Sequence, residues 1–131
     1  MDLVPSNLSV AIVDDEPSVR TSLTRLLRSS GIQAETFASG AAFVERLPTG
    51  PWQIVLLDIH MPGLTGFEVL KRVREERHDL AVIMITGYEG ADVKRSAYEA
   101  GAKGVLLKPF SYSDFFEIVR TLPGELTEAR G

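Results

Sequence analysis

Short apolar runs alternate with amphipathic stretches along most of the chain, and this alternation most strongly constrains the fold. The apolar runs have the length and the β-branched content of buried strands. The stretches between them repeat apolar residues three and four positions apart, as one face of a helix does. The predicted strands cover about these residues: Leu8 to Val13, Ile32 to Phe37, Gln53 to Ile59, Ala81 to Ile85 and Val105 to Leu107.

Start and stop signals for helices fall between these strands. Pro17 stands where the first helical residue is expected, and Gly31 stands where that helix should end. Ser39 can cap a second, short helix that runs to about Leu47. The other helices are predicted over these stretches: Phe67 to about Arg77, Asp92 to Ala100, and a last helix that begins after a cap at Ser111 or Ser113.

Strict alternation of strand and helix predicts an α/β fold, with a parallel sheet, right-handed crossovers and helices on both faces. Five units are too few to close a barrel, so we expect a single open, doubly wound (βα)₅ domain. A chain of 131 residues is of ordinary size for one domain. We expect residues 8–122 to form this domain, residues 1–7 an N-terminal segment, and residues 123–131 a C-terminal tail or linker.

Charge and cysteine content narrow the range of functions. The net charge of −4 argues against direct binding of nucleic acid, which depends on clustered Lys and Arg. The chain has no cysteine, which removes disulfides and thiolate metal sites and favours the cytoplasm. No apolar run approaches the roughly 18 residues of a membrane span. We therefore expect a soluble, cytoplasmic protein that does not bind membranes.

Polar residues follow the ends of four predicted strands. Ligands of open parallel sheets bind beyond the carboxyl ends of the strands, so these residues should converge on one crevice. The residues are Asp14 and Asp15 after the first strand, Asp58 within the end of the third, Thr86 after the fourth and Lys108 after the fifth.

Carboxylates that converge in this way repel one another by roughly 3 kcal/mol at about 5 Å, and a cation relieves the repulsion. Oxygen ligands without Cys or a His side chain suit Mg²⁺, whose coordination is often completed by phosphate. Asp58 can then act as a nucleophile toward phosphorus, with Lys108 and Thr86 facing the phosphoryl oxygens. A purely structural role is an alternative for Asp14, Asp15 and the adjacent acid Glu16, because acids before a helix also act as caps.

Four sequence blocks resemble the receiver domain of two-component response regulators, in the CheY-like superfamily. They are VDDEP at 13–17, LLDIHMPGLTG at 56–66, ITG at 85–87 and KPF at 108–110. The blocks keep the order and approximate spacing of that family from about Leu8 to Leu122. The resemblance implies a flavodoxin-like sheet with strand order 2-1-3-4-5.

The resemblance also implies the chemistry of the site. Asp58 would accept a phosphoryl group from a histidine kinase or phosphotransfer protein, or from acetyl phosphate. Asp15, Asp58 and the backbone carbonyl of His60 would bind Mg²⁺, with Asp14 acting mainly through bound water. The domain would catalyse its own phosphorylation and dephosphorylation without being an enzyme in the usual sense.

The signalling step is where the sequence departs from the family. By the resemblance, the peptide bond between Lys108 and Pro109 would be cis, and Lys108 would pair with the phosphoryl group. Thr86 would move toward that group. Many receivers carry Tyr or Phe three residues before this lysine, but Val105 stands there, so no aromatic ring can turn inward at this position when the threonine moves. Tyr88 or Phe110 could supply a different readout.

Three functions follow as alternatives. In the first, phosphorylation remodels the face formed by the fourth helix, fifth strand and fifth helix, which alters partner binding or homodimerisation. In the second, the protein is a haloacid-dehalogenase-like phosphatase with Asp58 as transient nucleophile, although His60 stands where a second acid is expected. In the third, it is a receiver that is never phosphorylated, although none of the required acids or the lysine is lost.

Overall fold

The computed structural model describes residues 8–87 and 90–122. The predicted N-terminal segment 1–7, Tyr88 and the predicted tail 123–131 lie outside the described residues. Strands and helices alternate in the order β1 (Ser9–Val13), α1 (Pro17–Arg28), β2 (Gln33–Phe37), α2 (Gly40–Arg46), β3 (Ile54–Asp58), α3 (Gly66–Glu76), β4 (Ala81–Thr86), α4 (Ala91–Glu99), β5 (Gly104–Leu107) and α5 (Tyr112–Val119).

The five strands form one parallel sheet of order β2-β1-β3-β4-β5, which confirms the predicted α/β fold and strand order. Helices cover both faces of this sheet. Leu27 of α1 and Phe115 of α5 pack in the apolar core on one face. Phe43 of α2, Leu70 of α3 and Ala97 of α4 pack in the core on the other. Every residue of β3 and β4 is buried, as expected for strands covered on both sides.

The structure corrects several details of the sequence prediction. Thr86 is the last residue of β4 and not the first after it, because its backbone pairs with β5 through Leu107. The strand before Lys108 is only partly buried, since β5 lies at a sheet edge: Val105 is half-buried and Leu107 is 39% exposed. Ser111 caps the last helix, because its side chain accepts a hydrogen bond from the backbone of Asp114.

Candidate functional site at the carboxyl edge of the sheet

The carboxyl ends of neighbouring strands bring distant polar residues together. Asp14 follows β1, Asp58 ends β3 and Lys108 follows β5, so all three lie at one edge of the sheet. They contact one another there, and Asp15, Asp58 and Lys108 line an open cleft of about 460 Å³ together with Glu16, His60 and Gly87. The sequence-predicted acids and lysine therefore share one site.

Asp58 is the buried carboxylate at the centre of the cleft. It is 4% exposed, its Oδ1 accepts a hydrogen bond from the backbone N of His60 at 3.1 Å, and its Oδ2 accepts one from Nζ of Lys108 at 3.4 Å. Burial raises the pKa of Asp58 above its ordinary value of 3.8, and the charge of Asp14 adds to the rise. The two hydrogen bonds offset only part of this, so the ionised carboxylate lacks sufficient counter-charge.

Lys108 supplies one ammonium group to three carboxylates. Its Nζ lies 3.0 Å from Asp14, 3.4 Å from Asp58 and 3.5 Å from Glu16. Burial by itself lowers the pKa of Lys108, but the contacts with Asp14 and Asp58 outweigh it, and the pKa lies above its ordinary value of 10.5. The lysine is therefore held as a cation beside Asp58. The Lys108–Pro109 peptide bond is cis.

Asp14 and Asp15 complete a cluster of oxygen ligands. Ligand oxygens of Asp14, Asp15 and Asp58 all lie within 4.8 Å of one another. Asp14 is fully buried: its Oδ1 accepts a hydrogen bond from the backbone N of Glu16, while its Oδ2 faces Lys108 without a well-aligned hydrogen bond. Three carboxylates facing one ammonium leave an excess of negative charge. This donor set, with one under-bonded buried oxygen, fits a hard divalent cation such as Mg²⁺.

Thr86 and Val105 lie at the ends of neighbouring strands and line a pocket beside α4. Thr86 is 2% exposed and lines a second pocket, of about 360 Å³, with Val105, Leu107, Val93 and other residues of the α4 side. Both predicted switch positions thus share one pocket, next to the carboxylate cleft but distinct from it. His60 is exposed, and its backbone N donates a hydrogen bond to Asp58.

Two residues at the site were missed by reasoning from the sequence. The sequence indicates no role for Glu16 beyond that of a cap, yet its carboxylate contacts the ammonium of Lys108. Gly66 begins α3 directly beneath the site: a Cβ there would lie 2.5 Å from the backbone O of Asp58 and 2.7 Å from Cα of Ile59. The signal for Gly66 was the glycine-rich turn after β3, which could be interpreted only as a turn without knowing how closely the backbones approach.

Residues 10–120 match the family model of the response regulator receiver domain, and the chain belongs to that family. Among curated relatives, the DNA-binding transcriptional regulator NtrC of Escherichia coli (strain K12) is 36% identical over 110 residues, which are 84% of this chain and 24% of NtrC. The transcriptional regulatory protein FixJ of Azorhizobium caulinodans is 34% identical over 125 residues, 95% of this chain and 59% of FixJ. The chain thus spans less than two thirds of the length of these relatives.

A solved structure of a similar protein has the same fold and contains a bound ligand. The response regulator TrrA of Thermotoga maritima, in complex with Mg(2+)-BeF, is 30% identical with a TM-score of 0.78, and the match covers 88% of this chain and 99% of that one. Phosphorylation and magnesium binding are characteristic of the family. The chain is therefore a receiver domain of two-component signalling whose site fits a phosphoacceptor, and the similar proteins give no support to the phosphatase alternative.

Among residues 8–87 and 90–122, no helix has both the length and the apolar character that crossing a membrane requires.

Proposed function

We propose that Asp58 is the phosphoacceptor of this receiver domain, with Lys108 as its cationic partner. The observation that carries the proposal is the position of Asp58: a buried carboxylate at the end of a central strand, open to a cleft and 3.4 Å from an ammonium group. A buried acid with too little counter-charge is costly to the fold, and such acids are concentrated at functional sites.

The proposed step is phosphoryl transfer from a phosphohistidine. An oxygen of Asp58 attacks phosphorus, a P–O bond forms as the P–N bond breaks, and the imidazole leaves with the electron pair of that bond. The ammonium of Lys108 stabilises the negative charge on the phosphoryl oxygens. The exposed cleft gives the donor access, and the backbone N of His60 keeps the carboxylate oriented through its hydrogen bond.

Asp14, Asp15 and Asp58, together with the backbone carbonyl of His60, would hold Mg²⁺ at this site, with Asp14 acting mainly through bound water. The bound ion would supply positive charge for the phosphoryl oxygens. The under-bonded Oδ2 of Asp14 and the mutual approach of the three carboxylates support this assignment. The acids therefore act as ligands and not only as helix caps.

The proposed switch consists of Thr86 and Val105 and is read out on the α4–β5–α5 face. Thr86 would move toward the phosphoryl group and so change the pocket that it shares with Val105. Because valine has no ring to swing inward, the readout would pass through the packing of this pocket. Tyr98 and Leu107 are the exposed large hydrophobic residues of the described chain and support this face as a surface for a partner or a second copy.

Receiver domains interact with histidine kinases or phosphotransfer proteins, and such a protein would be the phosphodonor here. We expect this domain to work in the cytoplasm and to make no direct contact with nucleic acid, since its net charge is −4.

Phosphorylation with a small donor tests the proposal. The chain is incubated with Mg²⁺ and acetyl phosphate and followed by intact mass, beside Asp58→Asn. We expect wild type to gain the mass of one phosphoryl group and Asp58→Asn to gain none, with Glu45→Gln, an exposed change on α2, behaving as wild type. An adduct that persists in Asp58→Asn would place the acceptor elsewhere. Turnover of phosphomonoesters without an adduct would support a phosphatase instead.

A further inference from the structure

Glu16 contacts the ammonium of Lys108 from the solvent side of the cleft. Its Oε1 lies 3.5 Å from Nζ, and its side chain is 60% exposed, whereas Asp14 and Asp58 are buried. Lys108 is therefore shared between two buried carboxylates and one exposed carboxylate. Only the exposed one can swing away into solvent.

Capping of helix α1 does not explain this side chain. Glu16 is the N-cap residue of α1, but its carboxylate accepts no hydrogen bond from the helix. Its backbone is fixed instead, because the N of Glu16 donates a hydrogen bond of 2.9 Å to Oδ1 of Asp14. This hydrogen bond ties the residue to the site, and Lys108 is the cation that its carboxylate contacts in the described part of the chain.

The carboxylate of Glu16 is close to the place where a phosphoryl group would be attached. Its Oε1 and Oδ2 of Asp58 both contact the same ammonium nitrogen, so they can be no more than about 7 Å apart. An anion entering the cleft meets the negative charge of Glu16 and competes with it for Lys108. Over such a distance two charges interact strongly, and the salt of the solution screens them only in part.

We propose that Glu16 is a positioning residue that holds Lys108 before phosphorylation and slows the entry of anionic phosphodonors. The inference rests on the proposed function of Asp58 as acceptor. Glu16 yields Lys108 to the phosphoryl group when the donor binds, and its charge makes the rate depend on the charge of the donor.

Two small donors of different charge separate this role from a structural one. Acetyl phosphate is a dianion at neutral pH, and phosphoramidate is a monoanion. With either donor an oxygen of Asp58 attacks phosphorus. The P–O bond to the acetyl group or the P–N bond to ammonia breaks, and the leaving group takes the electron pair. The nitrogen of monoanionic phosphoramidate is already protonated, so the leaving group is neutral ammonia. The negative charge of Glu16 should therefore slow the reaction of the dianionic donor more than that of the monoanionic donor.

The test measures the initial rate of adduct formation by intact mass, with the full chain and saturating Mg²⁺. Glu16→Gln removes the charge but keeps the shape, and we expect about a fivefold faster reaction with acetyl phosphate and about a twofold faster one with phosphoramidate. Added salt should narrow the difference between variant and wild type. Glu16→Asp keeps the charge and should react within about twofold of wild type. Glu45→Gln, the same change on exposed α2, should leave both rates unchanged.

Equal rates for Glu16→Gln and wild type with acetyl phosphate would overturn the role of Glu16, as would the same acceleration with both donors. The proposed function is judged separately, by the wild-type adduct and its loss in Asp58→Asn. A wild type that forms no adduct with either donor overturns the proposed function and, with it, this inference.

Discussion

Helices α3 and α4 follow the two central strands of the site, but the structure holds them in different ways. Helix α3 begins with a capping box, in which Thr65 and Glu68 exchange hydrogen bonds, and it buries Gly66, Val69, Leu70 and Val73. Helix α4 begins at Ala91, its N-cap residue Gly90 supplies no side-chain hydrogen bond, and the helix buries only Ala97. The helix after Asp58 is thus anchored, and the helix after Thr86 is loosely held.

This contrast indicates where a change at the site can be transmitted. Elements with few buried apolar contacts open and shift at low free-energy cost, whereas well-packed elements resist. Charge added at Asp58 would therefore leave α3 in place and act on α4 and the pocket beside it. Substitutions at Gly66, at Asp58 and at the two helix caps test this contrast.

Substitution of Gly66 should have the largest effect. In Gly66→Ala the new Cβ would meet the backbone O of Asp58 at 2.5 Å, and backbone atoms cannot move aside as a flexible side chain can. We expect a loss of about 3 kcal/mol in the free energy of unfolding, measured by urea denaturation. Gly87→Ala is the control, because a Cβ at Gly87 has no neighbour within 4 Å, and it should not destabilise the domain. Equal losses in both variants would show that the close packing of α3 beneath Asp58 is unimportant.

Asp58→Asn should stabilise the metal-free protein at neutral pH, since it removes a buried charge that faces Asp14. The pKa of Asp58 is raised in the folded state above 3.8, so ionisation costs the folded state more than the unfolded one. The penalty is absent below pH 3.8, grows as the pH rises through the folded pKa, and is complete above it.

Urea denaturation between acidic and neutral pH, with a chelator present, checks this expectation. The advantage of Asp58→Asn over wild type should increase with pH in that window and shrink when Mg²⁺ is added, because the cation stabilises the wild-type acids. A pH-independent difference would mean that Asp58 contributes through packing alone. The end of β3 would then carry no electrostatic strain for a bound cation to relieve.

Changes at the two helix caps should have the smallest effects and opposite signs. Thr65→Ala removes the cap of α3 and should cost about 1 kcal/mol, measured by urea denaturation. Gly90→Ser supplies α4 with a capping hydroxyl where the backbone is already extended, and should add a few tenths of a kcal/mol. If Thr65→Ala costs nothing, or Gly90→Ser destabilises, the two helices are not held in the way that their caps indicate.

Much of the fold could be predicted from periodicity, because burial of strands and helix faces leaves a regular pattern in the chain. Element boundaries were harder. Nothing local distinguishes the last paired residue of a strand from the first unpaired one, so the sequence predicts Thr86 outside β4, whereas its pairing with Leu107 on β5 includes it. Ser111 and Ser113 were equal candidates for a cap until the hydrogen bond to Ser111 was known.

The candidate site was predictable in outline for a similar reason. Residues that follow parallel strands must meet at one edge of the sheet, so Asp14, Asp58 and Lys108 could be expected to converge. The distances between these residues, and the contact of Glu16 with Lys108, could not be predicted from the order of the strands. They depend on side-chain directions and on the packing of loops from different parts of the chain.

The sequence by itself determined the alternation of strands and helices, the chemical groups at the strand ends and the family of the domain, because these are written in local patterns. Only the tertiary structure decided that Leu107 is exposed, that Thr86 shares a pocket with Val105 and that Glu16 reaches the lysine. Exposure and contact are set by what covers a residue, and the covering residues are distant in the sequence. The chemical groups of the site can be identified from short motifs, whereas the contacts between them depend on the tertiary structure.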